Sequence, residues 1–245
     1  MSARHGEWPL WLDRYELSDA QLAQLARVLD VLERDEHAPT SVRDRTRAAN
    51  IHVADSLVAL DLDSLRDARD VVDLGAGAGF PGLVLAVALP HASVELVESQ
   101  RRKCEFIERL VAAAEIENAS VVCARAEEWA EGRASADAAL ARALAPQPVV
   151  LEYAAPLLRI GGALIDWRGR RDEEEERAAS RAAAELGLEL REVRHVKPFA
   201  GALDRHLHVW EKTAATPDRF PRRAGIARKR PLGASAISAS DRDRR

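Results

Sequence analysis

The sequence predicts a three-layer α/β protein: a mostly parallel sheet covered by helices on both faces, with an N-terminal helical cap and a basic C-terminal tail. Three observations carry that prediction. Val71 to Gly82, V-V-D-L-G-A-G-A-G-F-P-G, reads as a buried strand running into a glycine-lined turn and then a helix. Beyond it, strand-like and helical runs alternate regularly, as in a parallel sheet with crossover helices. Ahead of it, Leu17 to Leu32 and Thr46 to Leu60 are helical in their apolar spacing.

Taken in order, Leu22, Leu25, Val28, Leu29 and Leu32 mark one face of the first helix, with Ser18 as its N-cap and Pro39 beyond its end. The second helix carries His52, Asp55 and Ser56. His52 and Asp55 are three residues apart and share a face, an arrangement that is ordinarily structural. Val71, Val72 and Leu74 suit a central strand. Gly75, Gly77 and Gly79 lack a Cβ, so a ligand can lie against the backbone, and Gly82 lets a helix starting near Pro81 pack closely.

Val94 to Val97 is the second predicted strand, ended by Glu98 about twenty residues past the turn, where an acidic side chain accepts from both ribose hydroxyls of an adenosine. Ser99 is the expected N-cap of a helix over Arg101 to Ala114. Ser120 to Cys123 reads as a third strand, with Arg125, Ala126 and Glu127 at its carboxyl end. Asp137 to Leu140 reads as a fourth, and Arg142 stands just past it, at the rim where such sheets place reacting groups. A helix over Val149 to Leu158, stopped by Gly161 and Gly162, leads to a strand at Ala163 to Asp166, followed by Trp167-Arg168-Gly169. Asp172 to Glu176 is the solvated first turn of the next helix. Leu188 to His195 and Leu207 to Trp210 close the sheet as a hairpin edge, with His206 and His208 as structural neighbours on the last strand.

Two ligand classes use such glycine turns. Gly77 to Gly82 satisfies the dinucleotide spacing G-x-G-x-x-G, but the strand ends at Leu74, so the register that follows it is Asp73-x-Gly75-x-Gly77-x-Gly79. A carboxylate at Asp73, beneath the turn, repels a pyrophosphate and suits a ligand bearing an ammonium or sulfonium.

With 245 residues, 47% hydrophobic and 31% charged, the chain can hold one substantial domain with appendages. Its start is too polar for a secretory signal, and the apolar run Leu83 to Leu89 is far shorter than the roughly 20 residues a bilayer needs. Cys104 and Cys123 lie in different elements without metal-type spacing, so a reduced cytoplasmic protein with no metal is expected. The net charge of -4 conceals an asymmetry: nine basic against three acidic residues from Thr213 onward give that segment +6 and leave -10 for the rest. An acidic body with a basic tail points to a polyanionic partner held through the tail. With its paired basics, prolines and glycine, the tail is expected to be flexible, order only on that partner and end in disorder from Gly233 to Arg245.

The chain resembles RsmG, also called GidB, a bacterial family that methylates guanine N7 in small-subunit ribosomal RNA. The likeness rests on separated segments of this sequence. These are Ser41 to Asp44; His52, Asp55 and Ser56; Asp73 to Gly82; Glu98-Ser99; Arg125 and Glu127; Arg142; Arg205 to Leu207; and Arg219 to Gly225. It departs from the family pattern at Pro39, Ile51 and Arg168.

The resemblance implies a Rossmann-like class I methyltransferase sheet and S-adenosylmethionine (SAM) as cofactor. Asp73, Gly75, Gly77, Gly79, Phe80, Glu98, Ser99, Ala126, Glu127 and Arg142 are then the cofactor-binding candidates, and Arg142, Arg125, Arg168 and His52 the catalytic ones. The implied organisation is a helical cap over residues 1–63, a methyltransferase core over 64–212 and an RNA-contacting tail over 213–245. The implied setting is a cytoplasmic monomer, away from membranes, acting on 16S ribosomal RNA or a 30S-type particle. A catalytically weakened RNA- or ribosome-binding paralogue, a methyltransferase with another RNA target, and a nicotinamide enzyme using Gly77 to Gly82 are the rival readings.

Overall fold

A computed structural model of the chain describes residues 8–234. Its strands are β1 (Asp70–Leu74), β2 (Ser93–Glu98), β3 (Ala119–Cys123), β4 (Ala136–Arg142), β5 (Leu158–Arg168), β6 (Leu188–His195) and β7 (His206–Lys212), in the sheet order β3-β2-β1-β4-β5-β7-β6. β1 to β5 are parallel; β7 runs antiparallel to both β5 and β6. The order reverses between β1 and β4, which places a crevice at the carboxyl ends of these strands.

β1 buries four of its five residues, Val71 to Leu74, because it is paired on both edges and covered on both faces. Val71 enters one core cluster while Val72 and Leu74 enter the other. The first cluster takes in α1 (Asp19–Arg34), α2 (Arg45–Ala48), α3 (Asp55–Leu57), α4 (Asp63–Arg66), α5 (Gly82–Ala88) and α6 (Arg101–Ala114). The second is covered by α7 (Gln147–Ala154), α8 (Glu173–Leu186) and α9 (Ile226–Lys229). Three layers result.

α1 buries Leu25, Val28, Leu29 and Leu32 and begins in a capping box: Ser18 accepts from the Gln21 amide, and the Gln21 side chain accepts from the Ser18 amide. Ser18→Ala should therefore destabilise the protein by about 1 kcal/mol. Urea denaturation checks this, and an unchanged midpoint would show that packing alone fixes the start of α1. Between α2 and α3 the helix passes through a π-helical stretch, Ala49–Ala54, so the predicted second helix is one run with a local change of winding, and it buries both His52 and Asp55. Such stretches recur at functional sites.

Several expectations are corrected by the structure. Gln100, not Ser99, occupies the N-cap of α6, and the Ser99 hydroxyl instead points to Glu98 at 3.4 Å. Gly161 and Gly162 do not stop a helix but lie inside β5, where a Cβ at Gly162 would stand 2.9 Å from the carbonyls of Ala136 and Asp137. They serve an irregular strand pairing that local composition cannot reveal. Arg142 is the last residue of β4 rather than the first beyond it. Cys104 and Cys123 are joined as a disulfide, because β3 pairs beside β2 and brings its end under the first turn of α6, Cα to Cα 5.8 Å.

The tail differs most. Residues 213–234 are packed on the body, with Phe220 and Ala227 buried in the second cluster, so ordering there needs no partner. The expectation of disorder from Gly233 onward falls mainly on residues outside those described. No helix among the described residues is long and apolar enough to cross a membrane.

Candidate active site

A cavity of about 600 Å³ opens at the carboxyl ends of β1, β4 and β5. One wall is the glycine turn. Gly75 and Gly77 both have positive φ, +67° and +62°, which a side chain would strain. A Cβ at Gly77 would meet only the Gly75 carbonyl, at an ordinary 3.7 Å, whereas at Gly75 a Cβ would strike Leu144. The turn therefore offers bare backbone to a ligand. Beneath it, the Asp73 carboxylate accepts from the Gly82 amide at 2.8 Å, and a Cβ at Gly82 would lie 2.7 Å from that carboxylate. Asp73 thus pins the start of α5 and does not line the cavity. Burial raises its pKa to about 7, so the standing negative charge expected beneath the turn is only partly present at neutral pH.

Glu98 also turns inward. Its two oxygens accept from the amides of Gly77 (3.1 Å) and Gln100 (2.9 Å), and Lys103 Nζ lies 3.8 Å away. A carboxylate has about four acceptor positions. The Ser99 hydroxyl takes a third, so one remains and Glu98 both shapes the turn and keeps an acceptor position for a ligand hydroxyl.

The opposite wall belongs to the N-terminal helices. His52 lies flat on Phe80, ring centroids 4.4 Å apart and 6° from parallel, with its Nε2 3.3 Å from Thr40 Oγ1. Burial, reinforced by the Arg142 cation, lowers His52 to about 4, so it is a neutral wall at pH 7. Asp55, one turn on, receives Arg142 Nη1 at 2.9 Å and has Arg205 Nε at 3.4 Å; its carbonyl accepts from the Trp167 indole at 2.7 Å. Arg142 donates as well to the Ile51 carbonyl at 3.2 Å. Arg168 donates to the Ala145 carbonyl at 2.9 Å and pairs with Glu175, so the acidic run at the start of α8 is not merely solvated.

Of the residues singled out from the sequence, Gly75, Gly77, Phe80, His52, Arg142 and Arg168 share the cavity wall. Gly79, Glu98 and Ser99 lie behind it, and Arg125, Ala126 and Glu127 stand outside. Glu127 accepts instead from the Gly225 amide at 3.1 Å. Asp55, Trp167, Arg170, Arg205 and Lys103 line the cavity without having been assigned a role. The spacing of His52 and Asp55 hinted at one of them, and the segments that carry the family resemblance include Asp55 and Arg205. Pro39 and Ile51 lie on this wall too, so the departures from the family pattern fall where a substrate would be held.

The chemistry offered is binding and charge placement. Arg142, Arg168, Arg170, Arg205 and Lys103 face a cavity whose one lining carboxylate among the described residues, Asp55, is already paired. Among the described residues no group of three or more His, Cys, Asp or Glu is placed to hold a metal. A glycine turn for an adenosine-like ligand, an aromatic wall and a cationic rim fit SAM beside an anionic second substrate.

Residues 19–207 match the family model described as rRNA small subunit methyltransferase G. The chain is similar to the ribosomal RNA small subunit methyltransferase G of Thermotoga neapolitana, 39% identical and covering 87% of this chain and 93% of that one. It is likewise similar to that of Carboxydothermus hydrogenoformans, 36% identical over 89% and 93% of the two chains. Among solved structures it is similar to Aeropyrum pernix fibrillarin with natively bound S-adenosyl-L-methionine, TM-score 0.51 at 18% identity, covering 64% of this chain and 72% of that one. Fibrillarin of Methanococcus jannaschii gives a TM-score of 0.53, also at 18% identity, covering 66% of this chain and 74% of that one. At that identity the structures speak for the fold.

Proposed function

Because the chain belongs to the rRNA small subunit methyltransferase G family, we propose that it transfers a methyl group from SAM to N7 of a guanine in 16S small-subunit ribosomal RNA. It is a SAM-dependent rRNA methyltransferase. The observation that supports the proposed geometry most is the meeting, across one cavity, of the bare glycine turn and the Arg142–Asp55 pair at the end of β4.

When bound, SAM supplies an electrophilic methyl carbon on a sulfonium. Gly75 and Gly77 would give its adenosine part backbone contact, Glu98 has one acceptor position left for the ribose, and Phe80 lies beside them. Guanine N7 attacks with a lone pair and releases no proton there, so no residue is needed as general base, and a neutral His52 is consistent with that demand. What the chain contributes is position and charge. Arg142, Arg168 and Arg205 hold an anionic backbone or the acceptor edge of guanine, while His52 and Trp167 close the wall against water.

Residues 1–63 supply the substrate-side wall in this reading, 64–212 the cofactor turn and rim, and 213–245 further basic surface. The proposed setting is a monomer in the cytoplasm acting on ribosomal RNA or a 30S-type particle, and the acidic body with its basic tail supports the polyanionic partner. Calorimetry provides a direct test: S-adenosylhomocysteine should bind and NAD should not, and the reverse result would remove the methyltransferase reading. In a deletion strain, primer extension after reduction and aniline cleavage should lose one N7-methylguanine stop in 16S ribosomal RNA; a strain that keeps every stop would refute the target. Because Pro39 and Ile51 lie on the cavity wall, a catalytically weakened paralogue is the second reading, favoured if S-adenosylhomocysteine binds and single-turnover transfer is absent.

A further inference from the structure

Glu152 lies on α7, on the far face of the sheet from His52, and is 1% exposed, yet no part of the cavity touches it. Its carboxylate is occupied by a single residue of the tail: Arg222 donates to it from the main-chain amide at 3.1 Å, from Nε at 2.9 Å and from Nη2. Arg222 also donates to the Arg230 carbonyl at 2.9 Å, drawing the following residues into a closed loop. From that anchor the chain reaches two loops at the carboxyl end of the sheet. The Gly225 amide donates to Glu127, in the loop after β3, at 3.1 Å. Arg228 donates to the Leu144 carbonyl, in the loop after β4, at 3.0 Å. The Tyr153 phenol on α7 lies close to both Glu127 and Arg228, whose charges act on it in opposite senses. Leu144 in turn is the side chain against which a Cβ at Gly75 would collide, so it is the floor on which the cofactor turn rests.

We infer that residues 220–230 form a strap that positions the cofactor turn through Leu144, with Glu127 as a second anchor of the strap and Glu152, Arg222 and Arg228 as positioning residues for cofactor affinity. The inference rests on the SAM reading of the cavity and extends it to a segment whose charge alone suggested only RNA contact. The physical argument is one of desolvation. A buried Glu152 is tolerated because Arg222 satisfies it on both oxygens, and losing either partner leaves an uncompensated buried charge. The loop from Arg222 to Arg230 therefore has one stable seat, and the loops after β3 and β4 are tied to it. By reciprocity, a ligand that needs Leu144 and the turn in place must tighten the strap by the same free energy with which the strap tightens the ligand.

Calorimetric titration of S-adenosylhomocysteine into the full chain tests this. Arg228→Gln, an exposed position with little risk to folding, and Glu152→Gln should each raise the dissociation constant about tenfold, within the usual range of such couplings, and Arg228→Lys should recover part of the loss. Arg223→Gln removes the same charge from the same segment at an exposed side chain and should leave that constant within about twofold. In the unaltered protein, S-adenosylhomocysteine should slow hydrogen exchange at the Gly225 amide, an effect that a merely structural tail would not show. If the unaltered protein binds while Arg228→Gln binds equally well and the Gly225 amide is unmoved, the strap inference is overturned and the cofactor reading stands. If the unaltered protein fails to bind, both fall.

Discussion

Replacing Arg142 by alanine should slow methyl transfer by roughly 30- to 1000-fold, about 2 to 4 kcal/mol of transition-state stabilisation, while S-adenosylhomocysteine affinity stays within a few-fold. The guanidinium spends its Nη1 on Asp55 and the Ile51 carbonyl, and no protein acceptor among the described residues takes Nε or Nη2. Those donors are held in place beside the cavity and cost no reorganisation when a guanine arrives. Alanine removes them and also leaves the buried Asp55 carboxylate with only Arg205 at 3.4 Å, so the rim loses its alignment along with its charge. Lysine should rescue little, because a point charge cannot bond Asp55 and Ile51 while presenting a second edge to the substrate. Single-turnover transfer of labelled methyl to ribosomal RNA, with calorimetry alongside, measures both quantities. A rate within threefold of the unaltered enzyme would discard the role of Arg142. A collapse of S-adenosylhomocysteine binding would reassign it to the cofactor carboxylate.

Asp73→Asn should change stability relative to the unaltered protein by an amount that grows with pH between about 4 and 7, on the order of 4 kcal/mol across that window. Asp73 is 1% exposed, its Oδ2 accepts from the Gly82 amide, and its Oδ1 has no protein partner. Burial is the chief cause that raises its pKa to about 7. A carboxyl raised in the folded state contributes stability that is fully present below its unfolded pKa and lost as pH climbs through the folded one. Asparagine keeps the acceptor for Gly82 and carries no charge, so the variant should match or trail the parent near pH 4 and exceed it at pH 8.

The parent itself should show a shallow profile. Asp166, also raised to about 7 by burial, acts in the same sense as Asp73. His52 and His208, both lowered to about 4 by burial, contribute stability present above their unfolded pKa and lost as pH falls, in the opposite sense. Removing Asp73 from that balance should leave a protein visibly more sensitive to acid. Denaturant titrations at pH 4.5 and 8 decide it: an equal difference at both would mean that Asp73 is ionised throughout.

Much of this molecule is legible in its local sequence, because strand burial, helical period and glycine spacing are properties of short segments. Val71 to Leu74 had to be a covered central strand, and the alternation after it had to fold as a mostly parallel sheet with crossover helices. The separated motifs identified the family. The same segments nominated Gly75, Gly77, Phe80, Arg142 and Arg168, which stand at one cavity because strand ends in such a sheet share an edge.

Tertiary structure alone decided which side chains meet. Asp55 and Arg142 are 87 positions apart, and Asp55 and Trp167 are 112 apart; nothing in either neighbourhood announces the pairing. Composition marks the tail as a flexible basic segment that orders on a polyanion, because it records Arg222 as a charge and cannot record Glu152, buried on a helix 70 residues earlier. Ser99 was read as a cap by residue type, yet the backbone put Gln100 there. Local patterns fix what a segment can be, since they act over one or two turns of chain. Partnerships between buried polar groups depend on how the layers close, and desolvation then makes those distant pairs obligatory.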